Sequence, residues 1–276
     1  MSIAKEAHPR DRFLAGFQLA LLLAIPTGFG GVAYAESELI LPAPAKFGTM
    51  PARTYSLAGQ PNGTAMLSVD RIDEHHAQIL GTAALEAGGR TRFQAKLEIL
   101  PGGSGLKLLH QESQSHDLQG KSMGILRVDH AQGIATCSPP PGSRKKTVIV
   151  KLPPSDRVAN VGLSLLFQPL AEGKTREVRF QLLLCRDNPR IVDFKAVIVR
   201  RSAPDLDRQI VEIRYRPDLG SVLSWLARAI VPDLSFWYDV TGPPRYLAHQ
   251  MPLFSRGPEI LIVREGVSPA LLRSVR

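Results

Sequence analysis

Apolar and polar residues alternate with a period of two through most of this chain, and nothing else in it narrows the fold so much. Thr91, Phe93, Ala95, Leu97 and Ile99 share one face of a strand, while Arg92, Gln94, Lys96 and Glu98 share the other. Val178, Phe180, Leu182 and Leu184 repeat the pattern against Glu177, Arg179 and Gln181. Val211, Ile213 and Tyr215 do so against Glu212, Arg214 and Arg216, and Val192, Phe194, Ala196 and Ile198 form the apolar face of another strand. Successive side chains on a strand point to opposite faces, so this pattern marks strands buried on one side. Asn62-Gly63 predicts a hairpin turn, since both residues tolerate positive φ. Asn62-Gly63-Thr64 also matches a glycosylation acceptor, but it is read as the turn. Gly88-Gly89, Pro101-Gly102-Gly103 and Asp187-Asn188-Pro189 mark further turns. Successive strands follow at about 8–14 residues. That is too short for repeated helical crossovers and predicts an antiparallel meander.

Two stretches depart from the alternation. Asp156 to Leu170 carries a helical stripe of Val158, Val161, Leu165 and Leu166, with Asp156 as N-cap. Asp218 to Val231 places Leu219, Val222, Leu223, Leu226 and Ile230 on one face, between the cap Asp218 and the stop Pro232. A membrane-surface helix needs a cationic face. This one holds only Arg228, so it is expected to pack on the sheet. The fold class that follows is mainly β: a large curved antiparallel sheet, a half-barrel meander, with two amphipathic helices on its concave face. Residues 36–52 read as an extended lead-in, 53–265 as a single β-rich domain and 266–276 as a frayed C-terminal tail.

The first 35 residues set an address. Lys5, Arg10 and Arg12 precede an apolar run from Phe13 to Ile25, and Ala33-Tyr34-Ala35 follows a Gly-rich stretch. This is the pattern of a signal peptide over residues 1–35, with Glu36 as the first mature residue. The alternative is a retained anchor, but the run is shorter than the roughly 20 residues that cross a bilayer. No later segment reaches that length, so no transmembrane segment is expected in the mature chain. The expected location is outside the cytoplasm, in the periplasm. Residues 1–35 hold three basic and two acidic residues, so their removal takes the formal charge from +9 to +8. That excess suits an anionic envelope surface, and export argues against nucleic acid. The basic run Arg144-Lys145-Lys146 is too short to mark a partner by itself. Cys137 and Cys185 are the only cysteines. In an oxidising compartment they can form a disulfide, the alternative being two unpaired thiols, with Cys185 a core-strand residue.

Catalytic chemistry finds little support. His75-His76 sit side by side in a strand-like stretch and would point to opposite faces, which disfavours a shared metal. The remaining histidines show no metal-ligand spacing. There is no nucleophile elbow and no phosphate-cradling glycine loop. Carboxylate pairs leave no local signature, but aromatics make up only 6% of the chain, which is lean for a glycan cleft. No enzymatic activity and no cofactor are expected.

The densest unusual segment runs from Phe236-Trp237-Tyr238-Asp239 through Arg245-Tyr246-Leu247-Ala248-His249 to Pro258-Glu259-Ile260. It reads either as a ligand rim or as a structural corner of the sheet. Its W-Y-D…G-P-P-R-Y-L hairpin and G-P-E-I-L-I-V-R-E last strand resemble a family of uncharacterised exported bacterial proteins. That family resembles in fold the half-barrel lipoprotein carriers LolA and LolB. The resemblance implies a curved sheet sheltering acyl chains in an apolar hollow, with the helices as plug or lid, and it brings no catalytic residues. The ligand-lining positions expected on this reading are Phe93, Leu97, Phe180, Leu182, Phe194, Leu223, Leu226, Trp237, Tyr246 and His249. The leading expectation is an exported protein that binds or carries a lipid-like or amphipathic ligand. An envelope scaffold with a fully packed core is the second, and a hydrolase acting on envelope glycan or lipid the third. The size of the cavity on the concave face separates the first two.

Overall fold

Among the described residues, fifteen strands form one sheet in the computed structural model. They are β1 (Ile40–Leu41), β2 (Gly48–Tyr55), β3 (Pro61–Arg71), β4 (His76–Leu85), β5 (Arg90–Ile99), β6 (Leu106–His116), β7 (Ser122–Asp129) and β8 (Ile134–Ser138). There follow β9 (Val148–Lys151), β10 (Glu177–Leu184), β11 (Arg190–Arg201), β12 (Ile210–Pro217), β13 (Leu234–Asp239), β14 (Arg245–Pro252) and β15 (Glu259–Arg264). The structure describes residues 38–185, 188–202, 208–218, 234–255 and 257–273. The expected signal peptide and the helical stripe with Leu223 and Leu226 lie outside the described residues.

Among the described residues every pairing between named strands is antiparallel, and nearly all join neighbours in sequence. The one long-range join along the path is β15 to β2, which pairs Val263 with Arg53. It turns two meanders into a continuous sheet running from β10 through β15 and β2 to β9. Among the described residues no pairing closes β9 onto β10, so the sheet is barrel-like and open.

The open seam is bridged in other ways. Cys137 on β8 and Cys185 just after β10 are disulfide-bonded, with Cα atoms 5.4 Å apart. The chain after β9 then crosses the gap. The Leu152 N–H bonds Gly133 O beside β8, and Val158 makes a parallel bridge to Gln181 on β10. Val128, Ala135, Cys137, Leu152, Val158 and Leu183 form a buried cluster around this seam.

The expected helix from Asp156 to Leu170 is corrected here. Asp156 caps nothing and has φ of 35°. Residues 157–159 are extended along β10, and Gly162 turns the chain at φ of 86°. Only then come two single helical turns, α1 (Leu163–Leu166) and α2 (Gln168–Ala171). Val158, Val161, Leu165 and Leu166 are all buried, as the stripe required, but on a broken path. Pairing with an open strand edge and a left-handed glycine outweigh a weak helical propensity.

Asn62-Gly63 is a second correction. The turn lies at Ser56–Gly59, where Gly59 N–H bonds Ser56 O, and Asn62-Gly63 falls inside β3. Asn62 is the extra residue of a bulge, since Thr54 pairs with Gly63 and Tyr55 with Pro61. Glycine is required there by close approach: a Cβ would fall 2.0 Å from the Ala84 carbonyl oxygen. The expected turns at Gly88-Gly89 and Pro101–Gly103 are present, and Leu184 pairs with Arg190 across the β10–β11 hairpin. The stretch 36–52, expected as a lead-in, contributes β1 and the first half of β2. The stretch 266–276, expected as a frayed tail, carries α3 (Pro269–Arg273), whose Leu272 is buried.

The principal core lies inside the curve. Phe167, between α1 and α2, is fully buried and touches the rings of Phe180, Tyr215 and Phe236 at centroid distances of 5.5, 5.6 and 5.2 Å. Leu165, Leu166 and Leu170 fill the space around it. The hollow of the sheet is thus occupied by the chain's own plug. On the other face, Trp237, Leu247, Ala248, Val263 and Leu272 form a smaller cluster under α3.

Candidate functional site

A register shift between β13 and β14 builds the most unusual local chemistry. Trp237 pairs with Ala248 but Tyr238 pairs with Tyr246, which leaves Leu247 as the extra residue. Strict alternation would put Tyr246 and His249 on opposite faces. The bulge turns both inward, and the Tyr246 hydroxyl lies 2.5 Å from His249 Nδ1. His249 Nε2 lies 3.0 Å from the Met251 sulfur, and the ring stacks on Phe236 at 5.0 Å and 14°. A thioether can only accept. Nε2 therefore carries the hydrogen, and the Tyr246 hydroxyl donates to Nδ1. Burial pushes His249 down to about 4 and pushes the Tyr246 phenol up, so both are neutral.

Beside this trio is a cavity of about 20 Å³, room for one water. Met50, Ala52, Phe93, Tyr246, His249 and Ile262 are among its walls. Its strand-to-strand row is Met50, Leu67, Gly81 and Phe93. Phe93 lies across Gly81, where a Cβ would fall 1.9 Å from the ring. An adjacent row of small residues, Ala52, Ala65 and Ala83, makes room for Leu253 from the β14–β15 connection.

The expected lining residues separate into groups. Phe93, Tyr246 and His249 meet at the cavity. Leu97, Phe180, Leu182 and Phe194 are buried in the core and face packed side chains. Leu223 and Leu226 lie outside the described residues. Trp237 is a correction: Phe236 and Tyr238 point inward, so Trp237 points outward and packs under α3. Met50 and Met251 were missed. The signal for Met251 was available, because two residues along a strand returns to the same face.

A second buried cluster ties the seam segment down. His130 Nδ1 lies 2.8 and 2.9 Å from the Asp156 carboxylate oxygens. Gln111 amide N–H groups reach His130 Nε2 at 2.7 Å and Val158 O at 2.8 Å, while Gln111 Oε1 accepts from the Val161 N–H at 2.8 Å. The assignment is self-consistent: Asp156 accepts from Nδ1–H, and Nε2 accepts from Gln111. Both ring nitrogens are occupied by structural partners.

His76 bonds Asp73, which also accepts the backbone N–H groups of His75 and His76. Those N–H groups, His75 first, and the His76 side chain hold the Asp73 carboxyl below its ordinary value. His75 lies in the turn before β4, not in a strand. Among the described residues no three His, Cys, Asp or Glu side chains are arranged to hold a metal ion, and none of the helices is long and apolar enough to cross a membrane.

No family model matches the chain, and no curated protein matches it. Among solved structures it is similar to the crystal structure of a beta-barrel-like protein of domain of unknown function DUF1849 from Brucella abortus. The two are 10% identical with a TM-score of 0.41, over 79% of this chain and 98% of that one.

Proposed function

We propose that this is a non-catalytic exported protein that serves the cell envelope as an accessory scaffold, its sheet packed around its own plug. The observation that carries this reading is the packing, among the described residues, of Phe167, Leu165, Leu166 and Leu170 inside the curve of the sheet. Pockets for small-molecule ligands run to roughly 300–1,000 Å³, whereas the cavity beside His249 holds about 20 Å³. The carrier reading, drawn from the resemblance to LolA and LolB, needs space that Phe167, Leu170 and their neighbours occupy.

A hydrolase reading gains nothing from the two buried histidines. His249 is bonded to a tyrosine and a methionine, and His130 is held between Asp156 and Gln111. The basic charge favours an anionic envelope partner. The stretch 141–149, with Arg144, Lys146 and Ile149, is exposed and adds positive charge to the surface.

The test is titration of the lipid-extracted protein with a fluorescent fatty acid. The scaffold reading expects no saturable, stoichiometric binding. Saturable binding at one probe per chain, displaced by phospholipid, would reinstate the carrier.

A further inference from the structure

We infer that the rim built from the β6–β7 turn and the β8–β9 connection docks on an anionic phospholipid bilayer, its basic side chains meeting headgroup phosphates and its exposed aliphatic side chains entering the headgroup boundary. The inference rests on the envelope reading above and names the surface that such a scaffold meets. β6, β7, β8 and β9 are successive antiparallel neighbours, so residues 117–121 and 139–147 come to the same end of the sheet. Ile125 pairs with Gln114 on one side and with Ser138 on the other. Gly124, at φ of 100°, lets the chain pass close at Ser138 and Pro139, since a Cβ there would fall 2.4 Å from the Ser138 carbonyl oxygen. Met123 is thereby set beside the start of the β8–β9 connection.

Segments 117–123 and 139–149 hold Lys121, Arg144, Lys145 and Lys146 against Asp117 alone. The Asp117 carboxylate is turned back on its own turn, where it accepts the N–H groups of Gln119 and Lys121. Lys121, Arg144 and Lys146 are exposed. Leu118, Met123, Val148 and Ile149 are exposed at the same end, Ile149 by 67%.

Three basic residues in a row mark no partner by themselves, and single exposed apolar side chains are ordinary. Both together, on neighbouring strand ends, match a surface that is negative outside and apolar just beneath. The opposite end of the sheet differs in sign. There the exposed Ile72 is followed by Asp73 and Glu74, which such a surface repels. Turn tips suit a fluid bilayer, which adapts to them and needs no matched pocket.

The test is cosedimentation of the disulfide-intact protein, purified from the envelope fraction without detergent, with two kinds of vesicle. One is phosphatidylglycerol mixed with phosphatidylcholine, the other phosphatidylcholine alone. The proposal expects binding to the mixed vesicles that fades as salt is raised, and little to the neutral ones. Each basic residue removed should weaken binding about fivefold, so Arg144→Gln with Lys146→Gln should weaken it by about 25-fold. Ile149→Gln should weaken it by about fivefold or more. Lys46→Gln and Ile72→Gln, exposed at the opposite end, should leave it unchanged. The inference is overturned if the wild-type protein sediments equally with both vesicles or with neither, or if the R144Q/K146Q chain binds as tightly as wild type. A lipid retained inside the sheet would sink the scaffold reading instead, because adsorption through the rim leaves no adduct once the vesicles are removed.

Discussion

Burial keeps the His249 ring neutral down to about pH 4, whereas the same ring in the unfolded chain takes up its proton near 6.5. Between those values the unfolded state binds the extra proton. Stability contributed by the neutral ring is therefore whole above about pH 6.5 and falls away toward pH 4, by on the order of 3 kcal/mol in all. Urea unfolding at a series of pH values should show this slope, and His249→Gln should flatten it within that window. An unchanged slope would place the histidine elsewhere than a dry interior. Gly63 gives a second residue-scale expectation. Gly63→Ala drives a methyl into the Ala84 carbonyl, at a cost of about 2 kcal/mol or more in equilibrium unfolding. Asn62-Gly63 shows why single residues mislead: the dipeptide is favoured wherever positive φ or close approach is needed, and sequence does not say which. The same limit hid the Tyr246–His249 pair, because a one-residue bulge leaves no mark on the alternation.

Strands were legible where one face is buried and the other wet. β5, β10 and β11 follow their sequence pattern nearly residue by residue. The alternation failed where both faces are covered, as in β13, which is buried along its whole length and carries the outward Trp237. The plug was legible only as apolar content. Its path is set by tertiary partners, the β10 edge and the Gln111–His130–Asp156 cluster, that no local window contains. Phe167→Ala should cost about 3–5 kcal/mol, measured by thermal or denaturant unfolding, because its ring meets three others. The disulfide closes a 48-residue loop across the seam. Replacing Cys137 and Cys185 by Ser should destabilise by about 4 kcal/mol. Hydrogen exchange should rise first in β8, β9 and the 152–161 segment.

Across the whole molecule, a sheet of this length must curl or split to cover its apolar face. Here it curls until its two ends meet, and a disulfide with a crossing segment replaces the missing ladder. That arrangement encloses a space inside the curve. The side chains of Phe167, Leu165, Leu166 and Leu170 occupy it, which is the basis for reading the protein as a scaffold. Native mass spectrometry of the disulfide-bonded protein, purified without detergent from the envelope fraction, tests this most directly. The account predicts the mass of the mature chain with no lipid-sized adduct, before and after incubation with envelope phospholipid. A lipid-sized adduct that organic extraction removes and added phospholipid restores would contradict it.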